Sequence, residues 1–506
     1  MNKQYLLGVD IGTSESKGVI CDIDGRVVAF DSQAHGVETP QPGFYEQDAE
    51  GVWWGDFVKI TRNLLQKSNI NSKLIAGIAV SGLGQDLLPI DEKGNALRKN
   101  AILYGIDTRA TNEIQQMNTD LGRDNILARS ANSLSTQAVG PKISWLKNNE
   151  YDIFESARYF VTASSFIICK LTGNVVLDHQ QASFWVPLYD FENHEWNKDF
   201  CSKYVDVDKL PLLKWTTEIA GTITENAARQ TGLAIGTPVT SGAGDAFAES
   251  ISVGVVDPGQ MMVMYGSTTC LFMPVVETVP DEGFWTYWSY REGLYGVAMC
   301  TSASGSITRW FRDNFAQELM IQEEKTHLDA YSELVKQSQN VPAGANGLVL
   351  LPYFCGERSP IYDTNACGIF FGLRLEHTRV DMFKAVLEGI GMSIRHNIET
   401  LKSLGIVPHE MIAVGGGIKN PIWLQAVSDI CMLEQKIPEV SIGAAYGNAF
   451  LAGVGVGIFK DVYDVKKWIR YKDNIKPNIA NKSIYDTCFN KYLKLYQNNK
   501  SLMKLI

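Results

Sequence analysis

Five short segments carry residue types that chemistry needs. In Gly242-Ala243-Gly244-Asp245-Ala246-Phe247, small residues clear space around one acid. An unobstructed carboxylate of this kind can reach a hydroxyl and take its proton. A lone Asp among glycines is also a common turn former. In Gly8-Val9-Asp10-Ile11-Gly12-Thr13-Ser14-Glu15-Ser16-Lys17, a carboxylate closes an apolar run and a glycine turn with hydroxyls follows. Such turns hold phosphate oxygens on backbone N–H groups, and an Asp nearby can hold Mg²⁺ through water. The bland alternative is a β-turn with an exposed Asp. Tyr265-Gly266-Ser267-Thr268-Thr269 is a second hydroxyl- and amide-rich turn, and Ser304-Gly305-Ser306 offers a further approach over small residues. Two such turns facing one another could enclose a triphosphate. Gly415-Gly416-Gly417-Ile418-Lys419-Asn420 stands before a helix-like segment. Its glycines let a flat ligand pass close to the backbone, and a helix start favours negative charge. A flexible turn is the plain alternative.

Gly84-Gln85-Asp86 and Asp107-Thr108-Arg109 place amide, carboxylate and guanidinium groups after apolar runs. Such groups suit recognition of several hydroxyls. For Asp107 and Arg109, a surface ion pair is the competing reading. Other chemistries lack their signatures. GxxxxGK[ST] and GxGxxG are absent, which removes the P-loop and the nucleotide-dependent dehydrogenase. No GxSxG elbow or HExxH occurs. The nine cysteines are scattered without a CxxC pair, an odd number that suits thiols in a reducing compartment. The N-terminal run has no cleavage site, so the cytoplasm is the expected location.

These segments need elements to position them. Tyr5–Asp10, the run around Val19-Ile20-Cys21 and Val27–Phe30 read as three strands joined by turns. Trp53, Phe57, Ile60 and Leu64 recur at helical spacing, with Asp48 as a cap. A strand is expected over Leu74–Val80, ending at Ser81-Gly82. Residues 120–235 read as a less regular insertion closing over a site. Further strands are expected at Met261–Met264, Leu294–Met299 and Met411–Val414. Helices are expected from Asp381 and from Pro421, over the small-residue run Gly443–Gly453, and at the end. There Ser483 and Asp486 form a capping-box pattern before Tyr485, Phe489, Tyr492 and Tyr496. The two halves echo each other: Asp10–Ser14 and Gly266–Thr269 occupy similar strand–turn settings. That suggests two lobes on related plans with a cleft between them.

At 506 residues the chain is long enough for two or three domains. A hydrophobic fraction of 45% and a charged fraction of 20% permit a sizeable core. A net charge of -10 disfavours nucleic-acid binding, and no segment approaches the length of a membrane span.

Taken in order, these elements resemble the FGGY carbohydrate kinases, within them the xylulokinase-like branch. The resemblance rests on GVDIGTSESK, on GAGDAFA at 242–248, on LPYFCGERSPIYDTNACGIFFGLRLEHTR at 351–379 with VLEG at 386–389, and on GGGIKNPIWLQAVSDI at 415–430. It spans roughly residues 5–460. It implies an α/β chain of two ribonuclease-H-like lobes, of the actin/hexokinase type, with an interlobe active-site cleft. Residues 1–250 would form the lobe with the sugar site and catalytic base, and 251–506 the nucleotide lobe. The activity implied is ATP-dependent phosphorylation of a hydroxyl of a small sugar or polyol, with ATP and Mg²⁺ as cofactors. Asp245 falls on the catalytic base. Asp10, with Asp245, falls where Mg²⁺ is positioned. Thr13 and Ser14 fall in the first phosphate turn, Gly266 and Ser267 in the second. Gly305, Gly416 and Asn420 fall in the nucleoside pocket. Gln85, Asp86, Asp107 and Arg109 fall on the sugar side. Family members are often dimers, which leaves a homodimer open. Two departures bear on the sugar. Xylulokinases usually carry Gln-Met-His-Gly after the third strand, whereas this chain has Leu83-Gly84-Gln85-Asp86, with Gln85 at the histidine position. Ala246 stands where asparagine often follows the base. A related ketose, polyol or sugar acid such as gluconate is therefore equally admissible. An actin-like module that binds nucleotide without catalysis would need neither the base nor the 351–379 signature.

Overall fold

The structure, a computed structural model, describes residues 4–505. The chain divides into two compact units. The first holds the chain up to Val256 together with Val276–Gly296 and Ile442–Ile469. The second holds Asp257–Val275, Val297–Ser441 and the chain from Arg470 onward. The units are not consecutive halves, since two segments from beyond residue 250 belong with the first.

The sheet of the first unit runs in the order Ile219–Thr222, Pro238–Thr240, Ile75–Gly82, Tyr5–Ile11, Glu15–Asp22, Val27–Ala34. The last three strands form the expected antiparallel meander. Tyr5–Ile11 lies parallel to Ile75–Gly82. A strand covered on both faces must be apolar at successive positions. Leu6, Leu7, Val9 and Ile11 are accordingly all buried. Helix Gly55–Ser68 covers one face with Phe57, Ile60 and Leu64. Trp53 precedes this helix, in the wide turn Ala49–Trp54 that Asp48 caps through Gly51 N.

The other face is covered by helix Ala444–Gly455, the Ala/Gly-rich run of the sequence. Gly8 and Val9 point to opposite faces. A Cβ on Gly8 would stand 2.0 Å from the Ala445 carbonyl oxygen and 2.3 Å from Ala449 N. The absent side chain is what lets helix and strand backbones meet.

The second unit repeats the plan. Its strands neighbour one another in the order Tyr295–Cys300, Thr269–Val275, Gln260–Tyr265, Glu410–Val414, Gln435–Pro438, Tyr471–Ile475. Gln260–Tyr265 is antiparallel to the strand after its turn and parallel to Glu410–Val414. The echo between Asp10–Ser14 and Gly266–Thr269 is this shared hairpin beside a parallel strand.

Two helix starts differ from expectation. The long helix runs Arg379–Ser403, and Asp381 is its third residue rather than its first. The Asp381 carboxylate accepts from Thr378 N at 2.8 Å and Thr378 Oγ at 2.6 Å, closing the helix start. The capping box expected at Ser483 is absent, because helix Lys482–Met503 starts before Ser483, with Asn481 at its cap position. Asp486 is engaged instead by Lys482 at 2.6 Å and Arg395 at 2.7 Å. Apart from Ile219–Thr222, which joins the main sheet, the stretch 120–235 is a set of short helices and two-stranded ladders with Trp185 and Trp196 buried. Among the described residues no helix is long and apolar enough to cross a membrane.

Candidate active site

In the first unit, parallel strand ends align the acids. Asp10 lies opposite Ser81, Ser81 opposite Ala243, and Gly82 opposite Gly244, the residue before Asp245. Asp10, the bend after Gly82 and Asp245 thus share the carboxyl ends of neighbouring parallel strands. Open α/β sheets bind ligands at that edge.

Asp10 is buried and accepts from Ser81 Oγ at 2.6 Å. Asn448 Nδ2 donates to Ser81 Oγ at 2.7 Å and to the Val9 carbonyl at 2.8 Å. Burial raises the Asp10 pKa, against the pull of Ser81 and Lys17. Burial, then the Asp10 charge, pushes Glu249 up to about 7. Asp245 is half-buried and opens helix Asp245–Ser252, its Oδ1 accepting from Ala246 N at 2.7 Å. Gly244 N donates to Gln180 Oε1 at 3.0 Å, and a Cβ on Gly244 would stand 2.9 Å from that oxygen.

The turn holding Thr13 and Ser14 is braced from outside. Ser14 is exposed, while Thr13 Oγ1 donates to Tyr104 Oη at 3.3 Å. Gln47 Nε2 donates to the Thr13 carbonyl at 3.0 Å. His35 bridges the Gly12 carbonyl at 3.0 Å and the Asp56 carboxylate at 2.8 Å.

The four residues expected on the sugar side differ in access. Gln85 is half-buried. Asp86 has no exposed surface, and its carboxylate oxygens each lie 3.2 Å from Ala163 N. It caps helix Ala163–Thr172, for which Thr162 supplies no side-chain cap. Burial raises the Asp86 pKa well above the usual carboxylate range. Asp107 and Arg109 do pair, at 2.8 Å, but in the interior rather than at the surface, with 0% side-chain exposure each. Arg109 also reaches Glu46 at 2.9 Å and stacks on Phe44 and Trp145, while Asp107 accepts from Tyr45 N at 2.7 Å. Their polar atoms are taken up in holding residues 44–46 to residues 107–109.

Sequence reasoning missed Lys142. It is buried, and its Nζ donates to the carbonyls of Gln85 at 2.9 Å, Thr136 at 2.9 Å and Ala138 at 3.3 Å. Three acceptors match the three hydrogens of an ammonium. Burial lowers its pKa to about 7, with Asp107 and Asp86 acting against. The available signal was a lysine on the apolar side of Val139-Gly140-Pro141-Lys142-Ile143.

In the second unit, five expected residues meet at one cavity of about 840 Å³, namely Gly266, Ser267, Gly305, Gly416 and Asn420. Gly305 opens helix Gly305–Phe315, and its N donates to the Gly266 carbonyl at 3.0 Å. A Cβ there would come within 2.4 Å of that oxygen, so only glycine fits. A Cβ on Gly416 would meet open space. Asn420 Oδ1 accepts from Trp423 N at 3.1 Å, capping helix Pro421–Cys431, and its Nδ2 donates to Tyr331 Oη at 3.3 Å. Arg309, Arg312, Lys384 and Lys419 also line the cavity. Two helix starts and these cations favour an anionic ligand, and the volume is that of a small-molecule site. No motif marked Arg309 or Lys384: Arg309 stands one turn past Gly305 on helix Gly305–Phe315, and Lys384 arrives from the separate helix Arg379–Ser403.

Models of the FGGY family of carbohydrate kinases match the chain twice. The N-terminal domain model covers residues 5–252 and the C-terminal domain model residues 261–456. The chain belongs to the FGGY family of carbohydrate kinases. This FGGY kinase is 28% identical to a xylulose kinase of Bacillus subtilis (strain 168) over 99% of this chain and 98% of the relative. It is 26% identical to an autoinducer-2 kinase of Enterobacter sp. (strain 638) over 99% and 95%. Its fold is similar to the crystal structure of xylulose kinase from Rhodospirillum rubrum, with a TM-score of 0.91, 27% identity, and 99% and 100% of the two chains covered. The two α/β units are the expected architecture, and the FGGY kinase is an ATP-dependent carbohydrate kinase.

Proposed function

We propose that this FGGY kinase phosphorylates a ketopentose hydroxyl, as ATP + ketose = ADP + ketose phosphate, in the cytoplasm where ATP is available. The observation that supports a hydroxyl acceptor is the position of Asp245 at a strand end, in line with Asp10 and with Gly244 close to Gly84, next to Gln85, while the ketopentose follows the xylulose kinases among its relatives. Asp245 takes the proton of the acceptor hydroxyl, and that oxygen attacks the γ-phosphorus. Gln85 contacts the acceptor directly. Asp86, Asp107 and Arg109 position the sugar-side loops. Thr13 and Ser14 hold the outer phosphate oxygens, while Gly266, Ser267, Gly305, Gly416 and Asn420 hold the nucleotide.

The residues fit Mg²⁺. Asp10 and Glu249 are penalised as carboxylates by burial, and Glu249 also by Asp10, which a divalent cation relieves. Among the described residues no group of three His, Cys, Asp or Glu forms a metal cluster. Mg²⁺ bound with nucleotide does not need one, since it keeps water and phosphate oxygens as ligands. Asp10 and Asp245 would hold it, and it would neutralise phosphate charge.

Coupled measurement of ADP release over pentuloses, hexuloses, polyols and aldonates tests the acceptor. D-xylulose should give the highest kcat/KM. Preference for a hexulose, a polyol or an aldonate such as gluconate would replace the ketopentose reading. Gln85 at the usual histidine position keeps that second reading in view. Asp245→Asn should lower kcat about 10²- to 10⁴-fold and leave ADP affinity measured without Mg²⁺ unchanged. Near-normal turnover in that variant defeats the base assignment.

A further inference from the structure

Cys270, in strand Thr269–Val275, and Cys300, at the end of strand Tyr295–Cys300, lie on neighbouring strands. Neither is in a disulfide, and both are half-buried. Thr301 N donates to the Thr269 carbonyl at 2.8 Å, so residues 269 and 301 oppose each other across a hydrogen bond. The next opposed pair is Cys270 and Cys300. Where such a pair falls between ladder hydrogen bonds, its Cα atoms are about 4.5 Å apart. That spacing is within the range a disulfide spans, ~4.4–6.8 Å. The two thiols are hydrogen-bonded to each other, and the Arg358 guanidinium acts on both sulfurs. Arg358 is itself held by the Thr301 carbonyl at 2.5 Å.

We propose that Cys270 and Cys300 form a dithiol site that hydroperoxides oxidise to a disulfide, and that closure weakens nucleotide binding at the adjacent turn. The hydrogen bond with Cys300, against burial and with help from Arg358, brings the Cys270 thiol down to about 7. A substantial thiolate fraction is therefore present at neutral pH, and the thiolate is the nucleophile. It attacks a peroxide oxygen. The S–O bond forms, the O–O bond breaks, and water or an alcohol leaves after taking a proton. Cys270 is then a sulfenic acid. The Cys300 sulfur attacks Cys270 sulfur, the S–S bond forms, the S–O bond breaks, and water carries off the Cys300 proton. Two thiols lose two electrons and one peroxide gains them.

The link to nucleotide is short. Thr268, in the Gly266–Thr268 turn, has its Oγ1 4.0 Å from Cys270 Sγ. Thr269 Oγ1 and Ser304 Oγ are 2.7 Å apart, and Ser304 N donates to the Ser267 carbonyl at 2.9 Å. Drawing the two Cβ atoms to about 3.8 Å pulls on the strand end and helix start that set this turn. The nucleotide effect rests on the proposed role of Gly266, Ser267 and Gly305. The oxidation chemistry does not.

The experiment treats the full-length enzyme with hydrogen peroxide, maps peptides by mass spectrometry and measures ADP affinity. A Cys270–Cys300 cross-link lighter by two hydrogens is expected. ADP affinity should fall at least ~5-fold, the scale of an ordinary coupling between sites, and recover with dithiothreitol. Cys300→Ser should leave a dimedone-reactive sulfenic acid at Cys270 and no cross-link. Oxidation of exposed Cys355 without a 270–300 cross-link overturns the proposal. So does a cross-link with unchanged ADP affinity. Mapping of the wild-type enzyme decides the matter even if the serine variant folds poorly. Failure of the nucleotide-turn assignment shows separately, as normal ADP affinity in reduced Gly305→Ala.

Discussion

The Lys142 Nζ donates to the Gln85 carbonyl oxygen at 2.9 Å, tying a buried lysine to the bend that carries Gln85. The same Nζ grips the carbonyls of Thr136 and Ala138, so one side chain joins two loops. A charge-assisted hydrogen bond contributes about 1.5–3 kcal/mol.

Lys142→Met should therefore release the Gln85 bend while keeping most of the side-chain volume. The acceptor KM should rise about tenfold or more, with the KM for ATP unchanged, because a factor of ten corresponds to about 1.4 kcal/mol. Steady-state kinetics varying each substrate in turn separates the two. A variant with normal acceptor KM would remove Lys142 from the positioning of the site.

Gly305→Ala places a methyl 2.4 Å from the Gly266 carbonyl oxygen. Backbone on both sides leaves little room to give. The expected result is a loss of ADP affinity of about tenfold or more, read by calorimetry, with the fold retained by circular dichroism. Unchanged affinity would detach this turn from the nucleotide.

The His35 brace makes stability depend on pH. Burial lowers the His35 pKa, but the Asp56 carboxylate and the Gly12 carbonyl outweigh it and hold the pKa above the usual value of 6.5. A group whose folded pKa is raised stabilises fully below its unfolded pKa, about 6.5. That contribution fades as pH rises through the higher folded value. The Tm gap between wild type and His35→Gln should therefore be wider at acidic than at alkaline pH. A gap that is constant or widens with pH contradicts the charged brace.

Gly8→Ala tests the return of the late helix to the first unit. Its methyl would meet the Ala445 carbonyl at 2.0 Å and Ala449 N at 2.3 Å. Overpacking of this kind costs about 1–3 kcal/mol, which chemical denaturation would read directly. A neutral result would mean that strand and helix do not pack this closely.

The local pieces of the site were legible in the sequence because each is written within a few residues. Glycines flank Asp245 where the backbone of Gly244 meets Gln180, and Gly305 stands where only a hydrogen fits against Gly266. Alternating and continuous apolar runs likewise marked the meander and the parallel strands, whose burial they produce. The hidden capping contact was different. Ser483 and Asp486 have the right spacing, yet Asp486 is claimed by Arg395 from 91 residues away.

Local sequence was enough for the existence of the strands and for the glycine turns between them, since backbone sterics and short-range periodicity act between near neighbours. Tertiary structure alone decided that Ala444–Gly455 packs on the first strand, that Asp107 and Arg109 pair in the interior, that Lys142 holds the Gln85 carbonyl from below the surface, and that Lys384 lines the cavity beside Gly305 and Gly416. Burial and charge pairing are set by segments that meet only after folding, and no local spacing encodes which distant side chain arrives.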